Sequence, residues 1–386
     1  MKIAILTFNK TTNFGAALQC YALSTYLKQI GNEVSIINLA LPVSVGVKRP
    51  LYRRLLLKVR SLLQNALRSK KQPSEFDRYP VSNSEFVDID RKMQHEFDAF
   101  LIEKIGNVSR LFTTEEELKG NYPKADFYIV GSDQVWNPQI TGRNAMLYFF
   151  SFLNDEPRMS YAASFGGSEQ VSFTDRQVKQ LPEQLKKFKA ISVREDIGVN
   201  ILRNRFDIKS ELVVDPTFLL NIDNYKHLAE ESHEDGKGFV YVYKFIINDY
   251  WVEIINYVAK VLNLKIRNDS EYIQIPKFQY NPYLNIQGWL KLILTSDFVI
   301  SDSFHCTVFC ILFRKKFLTA PSYANGEGRM LSLLRDAGLE ERFCYTTAEV
   351  KEKLPMLCEE INYDVVFEKL NLKIENSKSF LQAQLN

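Results

Sequence analysis

The 386-residue sequence predicts an α/β protein built from two Rossmann-like domains that face a central cleft. Three observations carry that prediction. The chain is longer than one ordinary core can hold and suits two domains of roughly 150 to 200 residues each. Short apolar, β-branched runs alternate with helical segments, which is the rhythm of parallel strands joined by crossover helices. That rhythm pauses near residue 215 and starts afresh with FVYVYKF at residue 239. Composition agrees: 46 % of the residues are hydrophobic and 25 % charged, with 27 Phe and 19 Tyr. That is enough apolar material for two cores, and it excludes a disordered chain.

Taken in order, the first forty residues read as strand, turn, helix and strand. KIAILTF is apolar, TTNFG turns, AALQCYALSTYLKQIG has helical periodicity ending at Gly31, and EVSIINL is a second strand. The turn of this βαβ opening holds only Gly15, so the glycine-rich dinucleotide fingerprint is missing and a Rossmann-type fold without a dinucleotide is favoured. Residues of about 42–110 read as an insertion, with an amphipathic basic helix near 51–68 and a second helix near 90–105. Alternation resumes with the strands ADFYIVGSD, RMSYAAS, KAISVRE and ELVVDPT, with FTDRQVKQLPEQLKKF as a helix among them. After FVYVYKF come a helix from about Tyr250 to Leu262, the strand LKIRN, a helix near 286–295, the strand DFVISD, the helix FHCTVFCILF, the strand KFLTAP and further helices. An N-terminal domain over 1–215 and a C-terminal domain over 216–386 follow. The cleft lies between the carboxyl ends of their strands, where ligands bind in such sheets.

The opening apolar run breaks at Asn9 and Lys10, too soon for a signal segment, and no run approaches the roughly 18 apolar residues of a membrane span. The expectation is a cytoplasmic protein. Five scattered cysteines, Cys20, Cys306, Cys310, Cys344 and Cys358, argue against disulfides. Cys306 and Cys310 with adjacent His305 do not supply four converging ligands, so they read as buried thiols rather than a zinc site. Neither a metal nor a nucleic acid is expected. The net charge of +3 hides an asymmetry: between Glu33 and Glu75 there is no acidic residue, while Lys48, Arg49, Arg53, Arg54, Lys58, Arg60, Arg68, Lys70 and Lys71 all fall there. Such a run points to an anionic partner. Within it Leu51, Leu55, Leu62 and Ala66 share a helical stripe flanked by arginines. Either this helix, inside the basic segment 48–71, lies peripherally on the inner face of an anionic membrane, or it packs its leucines on the N-terminal domain.

Four polar constellations fall at strand ends and so face the cleft. They are Asn13-Phe14-Gly15; the stretch from Gly131 to Pro138 with Ser132, Asp133, Gln134, Trp136 and Asn137; Ser192-Val193-Arg194-Glu195; and Ser301-Asp302-Ser303-Phe304-His305. Trp136 among Asp133, Gln134 and Asn137 either offers an apolar plate to a pyranose ring or plugs the core while its neighbours satisfy a turn. Arg194 either presents paired donors to a carboxylate or phosphate, or bonds a neighbouring acid. His305 opens a helix after a strand, where anions are favoured, and a histidine there can change protonation near neutral pH; the alternative is a hydrogen bond to a loop. Arg329, in ANGEGRMLSLL, opens another helix and reads as a second anion clamp.

The segments NFGAALQCYALSTYLKQIGNEVSIINL, DFYIVGSDQVWNP, SYAASFG, AISVRE, VVDPTFLL and DFVISDSFHCTVFCILFRKKF resemble, in that order, the polysaccharide pyruvyl transferase family. The resemblance runs from residue 1 to about Arg342 and is weakest over 42–110 and 221–285. Where the family pattern usually reads Ser-Phe-His-Gly, this chain has Cys306 in place of the glycine. The resemblance implies a GT-B-like pair of domains. It implies transfer of the pyruvyl group from phosphoenolpyruvate to a sugar of a lipid-linked surface glycan, as a ketal with release of phosphate, and with no other cofactor. Arg194, His305, Ser303 and Arg329 would then meet the donor. Asn13, Gly15, Ser132, Asp133, Gln134, Trp136 and Asn137 would meet the acceptor. His305 is the expected acid or phosphate-stabilising group, with Arg194 beside it and Asp133 as the candidate base. Two readings compete: a nucleotide-sugar glycosyltransferase on the same architecture, and a carbohydrate-binding relative without chemistry, against which the retention of Arg194 with His305 argues.

Overall fold

The structure, a computed structural model, describes residues 1–40, 79–80, 83–169, 171–245, 247–269, 273–275, 278–321 and 327–385. The basic helix expected near 51–68 lies outside the described residues. The first half holds β1 (Lys2–Leu6), α1 (Phe14–Gln29), β2 (Glu33–Ile36), β3 (Tyr79–Pro80), α2 (Asn83–Ile105), α3 (Glu115–Leu118), β4 (Phe127–Val130), α4 (Pro138–Thr141), β5 (Arg158–Ser160), α5 (Asp175–Lys186), β6 (Ser192–Val193), α6 (Asp196–Phe206) and β7 (Glu211–Leu212). The second holds α7 (Ile222–Glu230), β8 (Phe239–Tyr243), α8 (Asp249–Leu262), β9 (Lys265–Asn268), β10 (Ile273–Gln274), α9 (Ile286–Thr295), β11 (Phe298–Ser301), α10 (Phe304–Leu312), β12 (Phe317–Thr319), α11 (Gly328–Ala337), α12 (Thr347–Cys358) and α13 (Tyr363–Leu385).

Both main sheets are parallel. The first runs β2-β1-β4-β5, and single bridges from Met159 to Ala190 and from Ala163 to Val193 carry it on into the pair β6-β7. The second runs β12-β11-β8-β9. Central strands β4 and β11 are buried along their whole length, which is why FYIV and FVIS read as continuous apolar runs rather than as alternation. The regular ladders are shorter than those runs. In KAISVRE only Ser192 and Val193 pair as a strand.

Helix α1 explains how the halves meet. Asn13 caps it, its Oδ1 accepting Ala16 N–H at 3.0 Å. The helix is buried on nearly every side from Phe14 to Leu27, as an all-round apolar helix must be. Phe14 stacks on Trp289 of α9 in the second half, ring centres 5.3 Å apart and 10° from parallel. The last helix also links the halves. Near its start the Tyr363 hydroxyl donates to the Cys310 and Lys315 carbonyls. Further along, Ser377 Oγ accepts Val214 N–H at 3.0 Å, and Lys189 donates to the Gln384 carbonyl at 2.8 Å. Cys20, Cys306, Cys310 and Cys344 are buried and Cys358 half-buried, all as free thiols. Among the described residues no helix is long and apolar enough to cross a membrane.

Candidate active site between the domains

Parallel strands deliver their carboxyl ends to one edge, so the loops after β1, β4, β6 and β7 meet the loop after β11 of the other sheet. Asp215, four residues past the start of β7, is where they converge. Its Oδ2 accepts Ser132 Oγ–H at 2.9 Å and Arg194 Nη1–H at 2.9 Å. Its Oδ1 accepts Thr217 N–H at 3.1 Å and Thr217 Oγ1–H at 2.7 Å. His305 Nε2 stands 3.5 Å from Oδ2. Ser132 and Arg194 belong to the first sheet and His305 to the second domain, so one carboxylate ties both sides. Burial alone would raise its pKa, but His305 first and Arg194 next outweigh burial and hold it well below the ordinary carboxylate range.

Arg194 is the cation at the centre, its side chain 2 % exposed. Among the described residues only Nη1 is used in a hydrogen bond. Nη2 stands 3.6 Å from Asp133 Oδ1 and Nε 3.9 Å from Glu195 Oε2, and neither nitrogen has a hydrogen-bond partner among the described residues. The Phe304 ring, from the second domain, lies 4.1 Å under the guanidinium. Arg329 opens α11 and also keeps a buried Nε with no partner among the described residues. Its pKa is pushed down to about 10, by burial first and by the charge of Arg194 next, against the pull of Glu195 and Asp133. Two guanidiniums that repel each other and keep buried, unfilled donors among the described residues are suited to an anion. A small pocket of about 10 Å³, room for about one water, lies beside Arg329, lined in part by Asp302, Phe304, Glu327 and Phe343.

His305 is held by shape as well as charge. A Cβ added to Gly15 would stand 2.1 Å from His305 Nδ1, so only glycine lets the amino end of α1 close on the imidazole. Ser303 caps α10, its Oγ accepting Cys306 N–H at 3.4 Å. The amino ends of α1 and α10 thus flank His305, where a helix favours negative charge. Cys306, which stands at the family's usual glycine position, is fully buried in the core.

The residues expected to meet the acceptor divide into three groups. Ser132, Asp133 and Gly15 join the cluster around Arg194 and His305. Asp133 adopts a left-handed φ of +74°, fixed by its own Oδ1 accepting Gln134 N–H at 2.8 Å; such a conformation costs a non-glycine residue about 1 kcal/mol and is worth retaining where it aims a functional group. Asn13, Gln134 and Asn137 are half-buried and engaged locally: Asn13 caps α1, Asn137 caps α4 through Gln139 N–H at 3.0 Å, and Asn137 Nδ2 donates to Gln134 Oε1 at 2.9 Å. Trp136 corrects the sequence expectation. It is fully buried, its indole N–H donates to the Tyr148 carbonyl at 2.9 Å, and it stacks on Phe149 at 4.9 Å. The indole therefore plugs the core and presents no plate to a sugar.

Asp215 was not singled out by sequence reasoning, although the strand-end rule that selects Arg194 applies equally to it. Glu195 sits in the selected set without a role; it is 1 % exposed.

A model of the family described as polysaccharide pyruvyl transferase matches residues 13–320. No curated protein matches the chain. Among solved structures, the chain is similar to UDP-GlcNAc 2-epimerase from Neisseria meningitidis bound to UDP-GlcNAc, at 12 % identity and a TM-score of 0.50, covering 100 % of this chain and 99 % of that one. It is similar to UDP-N-acetylglucosamine 2-epimerase from Rickettsia bellii at 11 % identity and a TM-score of 0.52, covering 100 % and 95 %. A mutant of the O-GlcNAc transferase from Thermobaculum terrenum follows at 10 % identity and a TM-score of 0.50, covering 100 % and 66 %. At such identities the likeness speaks for the fold alone, and that fold is the GT-B arrangement of two Rossmann-like domains.

Proposed function

Because this chain belongs to the polysaccharide pyruvyl transferase family, we propose that it moves the pyruvyl unit of phosphoenolpyruvate onto two hydroxyls of one sugar in a lipid-linked surface glycan, forming a ketal and releasing phosphate. The observation that carries the reading is the pair of arginines, Arg194 and Arg329, which lie close enough to repel each other and keep buried donors with no partner among the described residues. Phosphoenolpyruvate carries a carboxylate and a phosphate, and bidentate guanidiniums suit both. In this reading Arg194 and Arg329 hold the donor, with Ser303 at the amino end of α10 beside it. His305 stabilises charge on the departing phosphate, since its Nε2 is turned to Asp215 and its ring is fixed against Gly15. Ser132 and Asp133 face the acceptor, with Asp133 as the base that takes a hydroxyl proton. The basic segment 48–71 supplies, on sequence alone, a means of peripheral contact with the anionic leaflet that carries a lipid-linked acceptor.

The test is donor-dependent thermal stabilisation followed by turnover. Phosphoenolpyruvate should raise the melting temperature where UDP-sugars do not. Phosphate release should then require both phosphoenolpyruvate and a glycan acceptor. Stabilisation by a UDP-sugar alone would return the chain to the nucleotide-sugar enzymes whose fold it shares.

A further inference from the structure

We infer that Glu195 carries the proton in this site, giving it to the methylene carbon of a bound enol phosphate and recovering one from the attacking hydroxyl. The inference rests on the donor reading above and names the acid that reading lacks.

Glu195 directly follows Arg194 and occupies the cap position of α6, in extended geometry at φ −134° and ψ 150°, yet its side chain does not cap the helix. It turns inward instead and is 1 % exposed. Oε1 is fixed by Phe165 N–H at 2.9 Å. Oε2 has no hydrogen-bond partner among the described residues and stands 3.9 Å from Arg194 Nε, which also has none. The charges around it come from three elements: Arg194 on its own strand, Arg329 at the start of α11, and Asp133 after β4, which faces Arg194. A carboxyl oxygen and an unfilled guanidinium nitrogen of Arg194 therefore stand 3.9 Å apart in buried surroundings that feel the charge of Arg329.

The neighbouring acids fit the task less well. Asp215 is filled by Ser132, Arg194 and Thr217 and is held as a carboxylate. Asp133 Oδ1 is engaged by Gln134 N–H. Glu195 has the opposite environment, because burial outweighs the pull of Arg194 and Arg329 and the hydrogen bonding of Ser164 and Phe165, and raises its pKa above the ordinary carboxylate value. That keeps it available as an acid closer to neutral pH.

The step balances. The Oε2–H proton goes to the CH2 carbon, the C=C pair forms the new C–H bond of a methyl group, and the first hydroxyl oxygen bonds to the central carbon. The proton of that hydroxyl returns to Glu195. The second hydroxyl then bonds to the same carbon as its bond to the phosphate oxygen breaks. Phosphate leaves with the electron pair, and Asp133 takes the second proton.

The experiment compares full-length wild type, Glu195→Gln and Glu195→Asp with phosphoenolpyruvate and a panel of methyl hexopyranosides. Gln keeps the Oε1 acceptor for Phe165 N–H, so E195Q should remain folded and be stabilised by phosphoenolpyruvate as the wild type is. Its kcat should fall at least about 100-fold, and the decline of kcat with rising pH seen in wild type should vanish. E195D, which withdraws the carboxyl, should keep that alkaline limb at a lower kcat, and it gives the same reading should E195Q fail to fold. A kcat within threefold of wild type in E195Q or E195D, or an unchanged alkaline limb in E195Q, overturns the role of Glu195 while leaving the donor reading intact. Wild type that phosphoenolpyruvate does not stabilise overturns both.

Discussion

The two edges of the first sheet each bury an arginine, and the two are used in opposite ways. At the amino edge Arg158 opens β5, fully buried, and every nitrogen is filled: Nε donates to the Glu156 carbonyl at 3.0 Å, Nη1 to Phe150 at 3.2 Å and Nη2 to Asn154 at 2.5 Å. At the carboxyl edge Arg194 follows β6 with Nη1 filled and Nε and Nη2 empty-handed. Arg158 clasps the loop that precedes its own strand. Arg194 is held in place by Asp215 with donors to spare. Burial and charge alone therefore do not separate the two arginines; what does is that Arg194 keeps donors without a partner among the described residues, on the edge where parallel sheets bind ligands.

The sharpest way to break that contrast is to place lysine at both positions, keeping each charge but removing the planar fork. Arg194→Lys should stay folded while losing about 100-fold or more in kcat/KM for phosphoenolpyruvate, because one ammonium cannot hold Asp215 and the donor together. Arg158→Lys should do the reverse, lowering stability by about 2 kcal/mol through carbonyls left unpaired, with kcat/KM of the remaining folded enzyme unchanged. Chemical denaturation and steady-state kinetics on both variants decide it. A selective loss of activity in Arg158→Lys would erase the distinction between the edges.

Asp215 is what holds Arg194 at the cleft edge, and its ionisation gives a test by pH. Its folded pKa is depressed, so it contributes stability that is present above the ordinary unfolded value of about 3.9 and is lost as pH falls below that. Asp215→Asn should lower stability by about 3 kcal/mol at neutral pH, since buried Arg194 loses its partner. The gap between wild type and variant should then shrink as pH falls from about 4. A second readout separates positioning from mere stability: the folded variant should lose kcat more than donor affinity, because His305 loses its anchor across the cleft. A constant gap from pH 7 to pH 3 would remove Asp215 from the ionised centre.

Much of this was legible in the sequence where one residue's environment is set by its own strand. Continuous apolar runs gave the parallel sheets because both faces are covered, and the strand-end rule picked out Arg194, His305, Ser132 and Asp133. What it could not supply was convergence. Asp215 matters through Ser132, 83 positions away, and Arg194, 21 away, partners that only the fold brings together. Trp136, expected at the acceptor, lies instead in the core against Phe149, a contact that its polar neighbours in sequence do not reveal.

Trp136 gives the smallest expected effect and a direct check on that last point. The indole is enclosed by Phe149, Phe165 and Phe188, with ring centres at 4.9, 5.4 and 6.0 Å, and its N–H fills the Tyr148 carbonyl. Trp136→Phe keeps an aromatic ring in a well-packed site but removes one hydrogen bond and part of the ring volume. The two losses together should cost about 1 to 3 kcal/mol of stability. If the indole were instead the plate on which the acceptor sugar rests, the same change would leave stability nearly untouched and raise the acceptor KM, since stacking on an exposed ring contributes to binding and not to folding. The buried arrangement thus predicts a lower melting temperature with acceptor KM and donor KM both within twofold of wild type. A tenfold rise in acceptor KM at an unchanged melting temperature would put the indole back in the cleft.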